Sequence, residues 1–498
     1  MALWDHLEKL ATLHPRDTCL VAFRDETVVT YGDLWAQILF TQSELYSLEA
    51  RRVLAIVPNC NEAAILYLAS MISGVDLCIL GDSFAEQELN RAVRAFAPDL
   101  LVFMNPGSVT LSQDLLGGLS VLSLESLTEG WPDSCGAVAE RSREFRSGRQ
   151  IVATSGSTGE PKMLVLSATK LWESAQVFVN LYKLNSGNAF WNFLPMSYLG
   201  GTFNLLLIPL AAGGKILMDQ TFGAGTFLRF FSTINRFEVN TLWIIPTILR
   251  GIRRLIGDGG GKWLSATQKI SFIGTAPSMP EERRWLEKVL KCEVYENYGL
   301  TETTFLLAEP LRTPESNADY GMQPFPGVEL EDSETRKTLR VKTPFLFDGY
   351  LRGAELESPL ENCEWFDTKD VIETRQVGFS FTRREREIVK KGGVLINLAE
   401  VESLFRPLVG WAEVAAIPVE DHFYGENYVL LYESPDQDPG ESAIIASLSQ
   451  HVSKMKMPSD VRSIPRLPRT RSGKVDKPSA LALFRGSLPV ENGPDGEL

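Results

Sequence analysis

The stretch 53-VLAIVPNCNEAAILYLASMISGVDLCILGD-82 decides the fold class. It opens with 53-VLAIVP-58, a continuous apolar run of the kind found in strands covered on both faces. Over 60-CNEAAILYLASMI-72, Ala63, Ala64, Leu66, Tyr67 and Met71 recur near helical spacing. Strand character returns at 76-DLCILGD-82. Strand, helix and strand in immediate succession predict an open, largely parallel sheet with helices on its faces. The runs 241-TLWIIP-246 and 269-KISFIGTAP-277 read as two more buried strands, each ending in a turn signal. Ligands of such sheets gather at the carboxyl ends of the strands.

The pattern changes after about residue 320. Segments such as 338-TLRVKT-343 alternate like strands of a ribbon or small β-barrel. The charge-dense 382-TRREREIVKKGG-393 then marks a boundary. Beyond it, 400-EVESLF-405 and 442-SAIIASLSQHVSKM-455 read as helices, and 412-AEVAAIP-418 and 428-YVLLYE-433 as strands. The fold expected is α/β: a large N-terminal domain (1–382) of parallel-sheet subdomains plus a small β-barrel, a short connector (383–387) and a small α+β domain (388–485). The polar tail 486–498 is expected to be disordered.

Composition narrows the function. A chain of 498 residues, 44% hydrophobic and 22% charged, is ordinary globular material for several domains. A net charge of −14 argues against nucleic-acid or acidic-membrane binding, so an anionic ligand needs a local basic cluster. The N-terminus lacks a secretory pattern. The longest apolar run, 205-LLLIPLAAGGKILM-218, is too short and glycine-broken to span a bilayer and reads as a core strand and turn. Six scattered cysteines without a CxxC pair fit reduced thiols in a cytoplasmic protein and build no zinc site. The four histidines, His6, His14, His422 and His451, read as surface residues, which leaves a Ser-His-Asp hydrolase without its base.

The stretch 154-TSGSTGEPK-162 follows an apolar strand with two glycines, four hydroxyls and a lysine. It is not a Walker A loop: Gly159 comes too soon after Gly156, Pro161 precedes Lys162, and Met163 stands where a hydroxyl should hold magnesium. It is not a dinucleotide fingerprint either. A strand feeding a turn rich in backbone N–H groups and hydroxyls is an anion nest suited to a triphosphate.

The ordered set 154-TSGSTGEPK-162, 297-NYGLTET-303, 365-WFDTKDV-371, 384-REREIVKKGG-393 and 467-LPRTRSGKVDK-477 resembles the adenylate-forming superfamily. That superfamily holds acyl- and aryl-CoA ligases, peptide-synthetase adenylation domains and luciferases. Weaker echoes at 30-TYGDL-34, 57-VPN-59, 194-LPMSYLGG-201, 246-PTIL-249 and 326-PGVEL-330 extend the resemblance over nearly the whole chain. It implies ATP-dependent activation of a carboxylic acid as an acyl-adenylate, with ATP and Mg²⁺, then transfer to a thiol.

The resemblance also implies roles. Thr154, Ser155, Gly156, Ser157, Thr158, Gly159 and Lys162 would close over the β- and γ-phosphates. Asn297 and Tyr298 would hold and stack on the adenine, with Gly299, Thr275 and Ala276 beside the nucleotide. Thr301 would contact the α-phosphate, Glu302 would ligate magnesium and Asp370 would bind the ribose. Arg384 would approach the nucleotide, Arg386 would be the hinge, and Lys474 would bridge carboxylate and α-phosphate. Tyr198 would gate an acyl pocket in which Gly200, Gly201 and Gly274 leave room and Thr247 and Thr303 line the wall. After adenylation the mobile C-terminal domain would turn, bringing Lys390, Gly392 and Gly393 to a thiol tunnel.

Four departures stand out: Lys369 and Arg383 replace usual glycines, Arg386 stands at the pivot, and 162-KMLVLSA-168 lacks the usual glycine and histidine. An acid–CoA ligase is the first reading. The alternatives are a stand-alone enzyme that loads a carrier-protein phosphopantetheine or forms an amide, and a non-catalytic homologue that binds nucleotide. A monomer or homodimer is expected.

Overall fold

The computed structural model describes residues 1–81, 86–104, 119–132, 144–154, 162–245, 248–249, 252–253, 256, 262–265, 267–274, 280–312, 321–331, 338–353, 355–360, 363–374, 377–384, 388–409, 413–433, 440–468, 475 and 477–486. They form two compact units, one of the described residues up to 384 and one of those from 388 onward.

Two large sheets organise the first unit. In one, Arg52–Ile56 lies parallel between Asp76–Leu80 and Leu100–Phe103. Both neighbours are buried along their whole length, which is why these strands read as unbroken apolar runs. The intervening helix Asn61–Ile72 buries every residue but Glu62, so its apolar residues form no single stripe. Arg149–Thr154 continues the sheet beside Asp76–Leu80. Arg149 clamps the buried carboxylate of Asp76 with two hydrogen bonds of 2.6 Å. Lys162–Ser167 then turns back antiparallel, and Gly349–Arg352 joins it from far along the chain.

The second sheet runs from Val28–Thr30 through Thr18–Ala22, Lys215–Met218, Ala189–Asn192, Thr241–Ile244, Ile270–Gly274 and Val294–Leu300 to Thr304–Ala308 and Gln323–Pro324. It is parallel from Thr18–Ala22 to Val294–Leu300. The helix Ala168–Tyr182 covers one face, where the Phe178 ring lies 4.6 to 5.2 Å from Tyr182, Trp243, Phe272 and Phe305. Past residue 320 the first unit adds a three-stranded sheet (Glu329–Leu330, Arg340–Lys342, Phe366–Asp367) and a ribbon of Asp370–Thr374 with Phe379–Arg384.

Two expectations need correcting. The run 205–218 is not a strand and turn over its first half. Gly200–Leu207 is a π-helix that passes into the α-helix Ile208–Ala212, and only Lys215–Met218 is strand. A segment buried on all sides leaves no periodicity to separate helix from strand. His6 is not a surface residue. Its Nε2 lies 3.0 Å from the Leu210 carbonyl and its ring packs on Trp172.

The second unit is a five-stranded sheet. Gly425–Glu433 pairs antiparallel with Val414–Asp421 and Ile388–Lys391, and parallel with Asp460–Ile464. Val394–Asn397 completes the Ile388–Lys391 hairpin. Leu398–Phe405 and Glu441–Leu448 contribute Val401, Phe405, Ile444 and Leu448 to one apolar face of the sheet, and Lys477–Phe484 contributes Ala480 to the other.

Candidate active site

The strand Val294–Leu300 and the hairpin that follows it carry the densest set of candidate residues. Gly299 is there because nothing larger fits: a Cβ would lie 1.8 Å from the Thr304 carbonyl oxygen. The turn is closed by Thr303, whose hydroxyl accepts from the Leu300 N–H at 3.3 Å. Thr304 adopts φ +57, a strained angle for a β-branched residue, and shares a 2.8 Å hydrogen bond with Ser174. Thr301 and Glu302 are thereby held half-buried at a tight tip just past the carboxyl end of a parallel strand. Thr303 is fully buried and its hydroxyl serves the turn, so it does not line an open wall as expected.

Two contacts gather residues distant in sequence around this tip. The Tyr298 hydroxyl donates to Asp370 Oδ2 at 2.7 Å, and Asp370 has 0% exposure. The Asp370 N–H donates to Thr368 Oγ1, and the Leu339 N–H donates to the Asp370 carbonyl at 2.7 Å. The ribbon register sets Arg384 directly across from Asp370. On the other side, Tyr350 donates its hydroxyl to Glu302 Oε1 at 3.4 Å, and the Phe347 N–H donates to the Glu302 carbonyl at 2.7 Å. Lys162 Nζ lies 5.2 Å from the centre of the Tyr350 ring, within cation–π range. Tyr350 was not legible as a site residue, because only the pairing of Gly349–Arg352 with Lys162–Ser167 puts it there.

Lys369, a departure from the usual glycine, keeps the glycine-like backbone at φ +59. Its ammonium pairs with Asp367 rather than crowding the site. Burial tends to raise the Asp367 carboxyl, but the hydrogen bonds from Lys369 outweigh it and hold Asp367 below the usual carboxylate range.

Other expectations shift. Asn297 and Tyr298 are neighbours in a strand and face opposite ways. The Asn297 side chain is 5% exposed, and its Oδ1 accepts from the Tyr182 hydroxyl at 2.9 Å. Glu296, half-exposed, shares the face of Tyr298 instead. The alternation is legible in 294-VYENYGL-300. Two of the glycines expected to leave room, Gly201 and Gly274, are closely approached by backbone. A Cβ on Gly201 would lie 2.5 Å from the Leu194 carbonyl, and one on Gly274 would lie 2.9 Å from the Asn297 carbonyl. Gly200 packs on Leu194, and the carbonyl of half-buried Tyr198 accepts the Gly201 N–H at 3.2 Å. Asn59 fixes the facing loop, donating to the Leu194 carbonyl at 2.8 Å and accepting the Met196 N–H at 3.0 Å.

In the second unit, Gly392 (φ +53) and Gly393 (φ +89) form the hairpin turn after Lys391, a conformation that needs glycines whatever passes the turn. The Lys390 N–H donates to Glu426 at 2.7 Å. Lys391 is buried, donates to the Met457 carbonyl at 2.7 Å and lies over the Tyr424 ring. Burial lowers its pKa, against the pull of Asp421. Ser155, Gly156, Ser157, Thr158, Gly159, Thr247, Thr275, Ala276, Arg386 and Lys474 lie outside the described residues, as do the side chains of Thr154 and Arg384.

Residues 7–351 match the profile of the AMP-binding enzyme family, and 400–474 that of the AMP-binding enzyme C-terminal domain. This chain belongs to the AMP-binding enzyme family, the adenylate-forming enzymes. An indoleacetate–CoA ligase of Aromatoleum aromaticum is 25% identical over 417 residues, covering 78% of this chain and 79% of that protein. A 2-succinylbenzoate–CoA ligase of Staphylococcus epidermidis is 21% identical over 467 residues, covering 92% and 94%. Among solved structures, the amide bond synthetase McbA of Marinactinospora thermotolerans superimposes with a TM-score of 0.81 at 22% identity, covering 97% of this chain and 100% of that one. This member of the AMP-binding enzyme family therefore has the family fold. Among its described residues no helix is long and apolar enough to cross a membrane.

Proposed function

We propose that this chain activates a small carboxylic acid with ATP and passes the acyl group to the thiol of CoA. The observation that carries the reading is the gathering at one strand end of Tyr298 with Asp370 and of Glu302 with Tyr350 and Lys162. Relatives named as CoA ligases support the choice of acceptor.

In the first step a carboxylate oxygen attacks the α-phosphorus and the bond to pyrophosphate breaks. The substrate is already an anion, so the step needs no general base. It needs cations and donors where negative charge accumulates. Lys162 and the loop 154–159 hold the outer phosphates, Thr301 the α-phosphate, and Tyr298 the adenine face. Asp370 receives the ribose hydroxyls, with Arg384 across the ribbon from it. Lys474 approaches both reacting anions. In the second step the thiol sulfur attacks the acyl carbon and the bond to AMP breaks, past Lys390, Gly392 and Gly393. Domain limits at 382 and 388, with Arg386 as pivot, let one small domain serve both steps.

Among the described residues no three acidic, histidine or cysteine side chains converge on a metal. Magnesium fits nonetheless, since it is commonly held by one or two carboxylates together with substrate phosphates, and Glu302 offers such a carboxylate. When bound, the ion neutralises phosphate charge.

The test is pyrophosphate release trapped with hydroxylamine over aryl, short-chain and long-chain acids, with and without CoA. Turnover under both conditions supports the ligase. Turnover with hydroxylamine alone moves the acceptor to a carrier-protein phosphopantetheine or an amine. Silence throughout, with nucleotide still bound, would establish the non-catalytic alternative.

A further inference from the structure

Trp243, Phe272, Gly274 and Asn297 share the sheet face turned toward the helix Ala168–Tyr182. Phe178 of that helix lies 5.2 Å from Trp243 and 5.0 Å from Phe272, and Tyr182 bonds Asn297 at 2.9 Å. Gly274 alternates with Phe272 and is the register partner of Asn297. It ends its strand at the carboxyl edge, where parallel sheets hold their ligands. Two polar atoms on this face are unsatisfied, the Trp243 indole N–H and, one strand over, Asn192 Oδ1. The indole Nε1–H of Trp243 has no acceptor, although the residue is only 1% exposed. Buried donors without a partner are rare in folded chains and ask for an explanation. The Cβ position of Gly274, which the Asn297 carbonyl oxygen approaches to 2.9 Å, lies 3.8 Å from that nitrogen.

The surroundings say what would suit the donor. Trp243 stacks on Phe305 (5.7 Å, 22°), and Phe305 meets Phe203 of the π-helix at 5.4 Å. All three are buried, so this wall is already filled by rings and leaves little depth for a long chain. A second carboxylate placed against Phe178, Phe272 and Phe305 would be a buried, unpaired charge, whereas a neutral oxygen would satisfy the indole at little cost. We infer that Trp243 determines acyl specificity: its Nε1–H donates to a neutral oxygen on the tail of a short carboxylic acid. The inference rests on the acid-activation reading above.

The experiment compares kcat/KM for hydroxamate formation between matched acids: levulinate with valerate, para-hydroxybenzoate with para-toluate, and levulinate with glutarate. The wild type is expected to favour the acid bearing the neutral oxygen by about tenfold in at least one matched pair, the worth of one hydrogen bond. Glutarate is expected to be the poorer of its pair. W243F, which keeps a ring and loses the donor, should shrink the preference, read as the ratio of the two kcat/KM values, to within about twofold. W243H, which restores an N–H, should recover part of it. Absence of preference in every pair overturns the inference, as does equal loss for both acids in W243F with a normal melting curve. If W243F does not fold, W243H and the wild-type pairs decide. If no acid is activated at all, the acid-activation reading itself falls, and this inference with it.

Discussion

Lys369 stands at φ +59, an angle that costs a side-chain-bearing residue on the order of 1–3 kcal/mol, and the Asp367 pair is what it gains there. Lys369→Gly should therefore fold at least as stably and leave adenylation within about threefold, read by chemical denaturation and pyrophosphate release. A larger loss of activity would give the ammonium a part in the reaction. Tyr350 touches Glu302 and Lys162 together. Tyr350→Phe should lower kcat/KM for ATP by about three- to tenfold without moving the melting temperature, since one weak hydrogen bond is lost and the ring remains. An unchanged kcat/KM would make the contact incidental. Lys474→Ala should cut adenylation by roughly 10²–10³ and spare acyl transfer from supplied acyl-adenylate. Equal loss of both half-reactions would refute its assignment.

The hairpin that carries Tyr298, Thr301 and Glu302 depends on the close approach of Gly299 to the Thr304 carbonyl. Gly299→Ala should destabilise the unit by on the order of 1–3 kcal/mol, as an overpacked site does, and a denaturant midpoint matching the wild type would sink that account. The N-terminal helix Leu3–Leu13 carries His6, whose burial lowers its pKa below the ordinary 6.5 despite the bond to Leu210, with Lys9 and the N-terminus pushing the same way as burial. Below about pH 6.5 the unfolded chain takes up a proton that the folded chain refuses, so stability falls with pH through that window. His6→Gln should flatten the fall, measured as melting temperature against pH.

Elements of this kind were readable where local rules act alone. The strands Arg52–Ile56, Asp76–Leu80, Thr241–Ile244 and Ile270–Gly274 follow from the apolar runs that hold them. The π-helix at Gly200 and the inward turn of Asn297 did not, because burial on every side erases periodicity and a motif hides the alternation of its strand. Tyr350 was silent because its partners are remote in sequence.

At the scale of the molecule, the two half-reactions are proposed to share one pivot. Arg386→Pro should stop acyl transfer while leaving adenylation near wild type, the reverse of Lys474→Ala. If adenylation fails as badly, the pivot lies elsewhere. The pairing of Gly349–Arg352 onto Lys162–Ser167 carries a different consequence, for biogenesis. While a ribosome is still producing residues beyond 167, the first sheet ends in an open edge with unpaired backbone groups, a template for wrong partners. The edge is covered only after residue 352 emerges, and the same event brings Tyr350 to Glu302. Assembly of the proposed nucleotide site is thus a late step of synthesis, and chains that stall before it leave a sticky sheet rather than a partial enzyme.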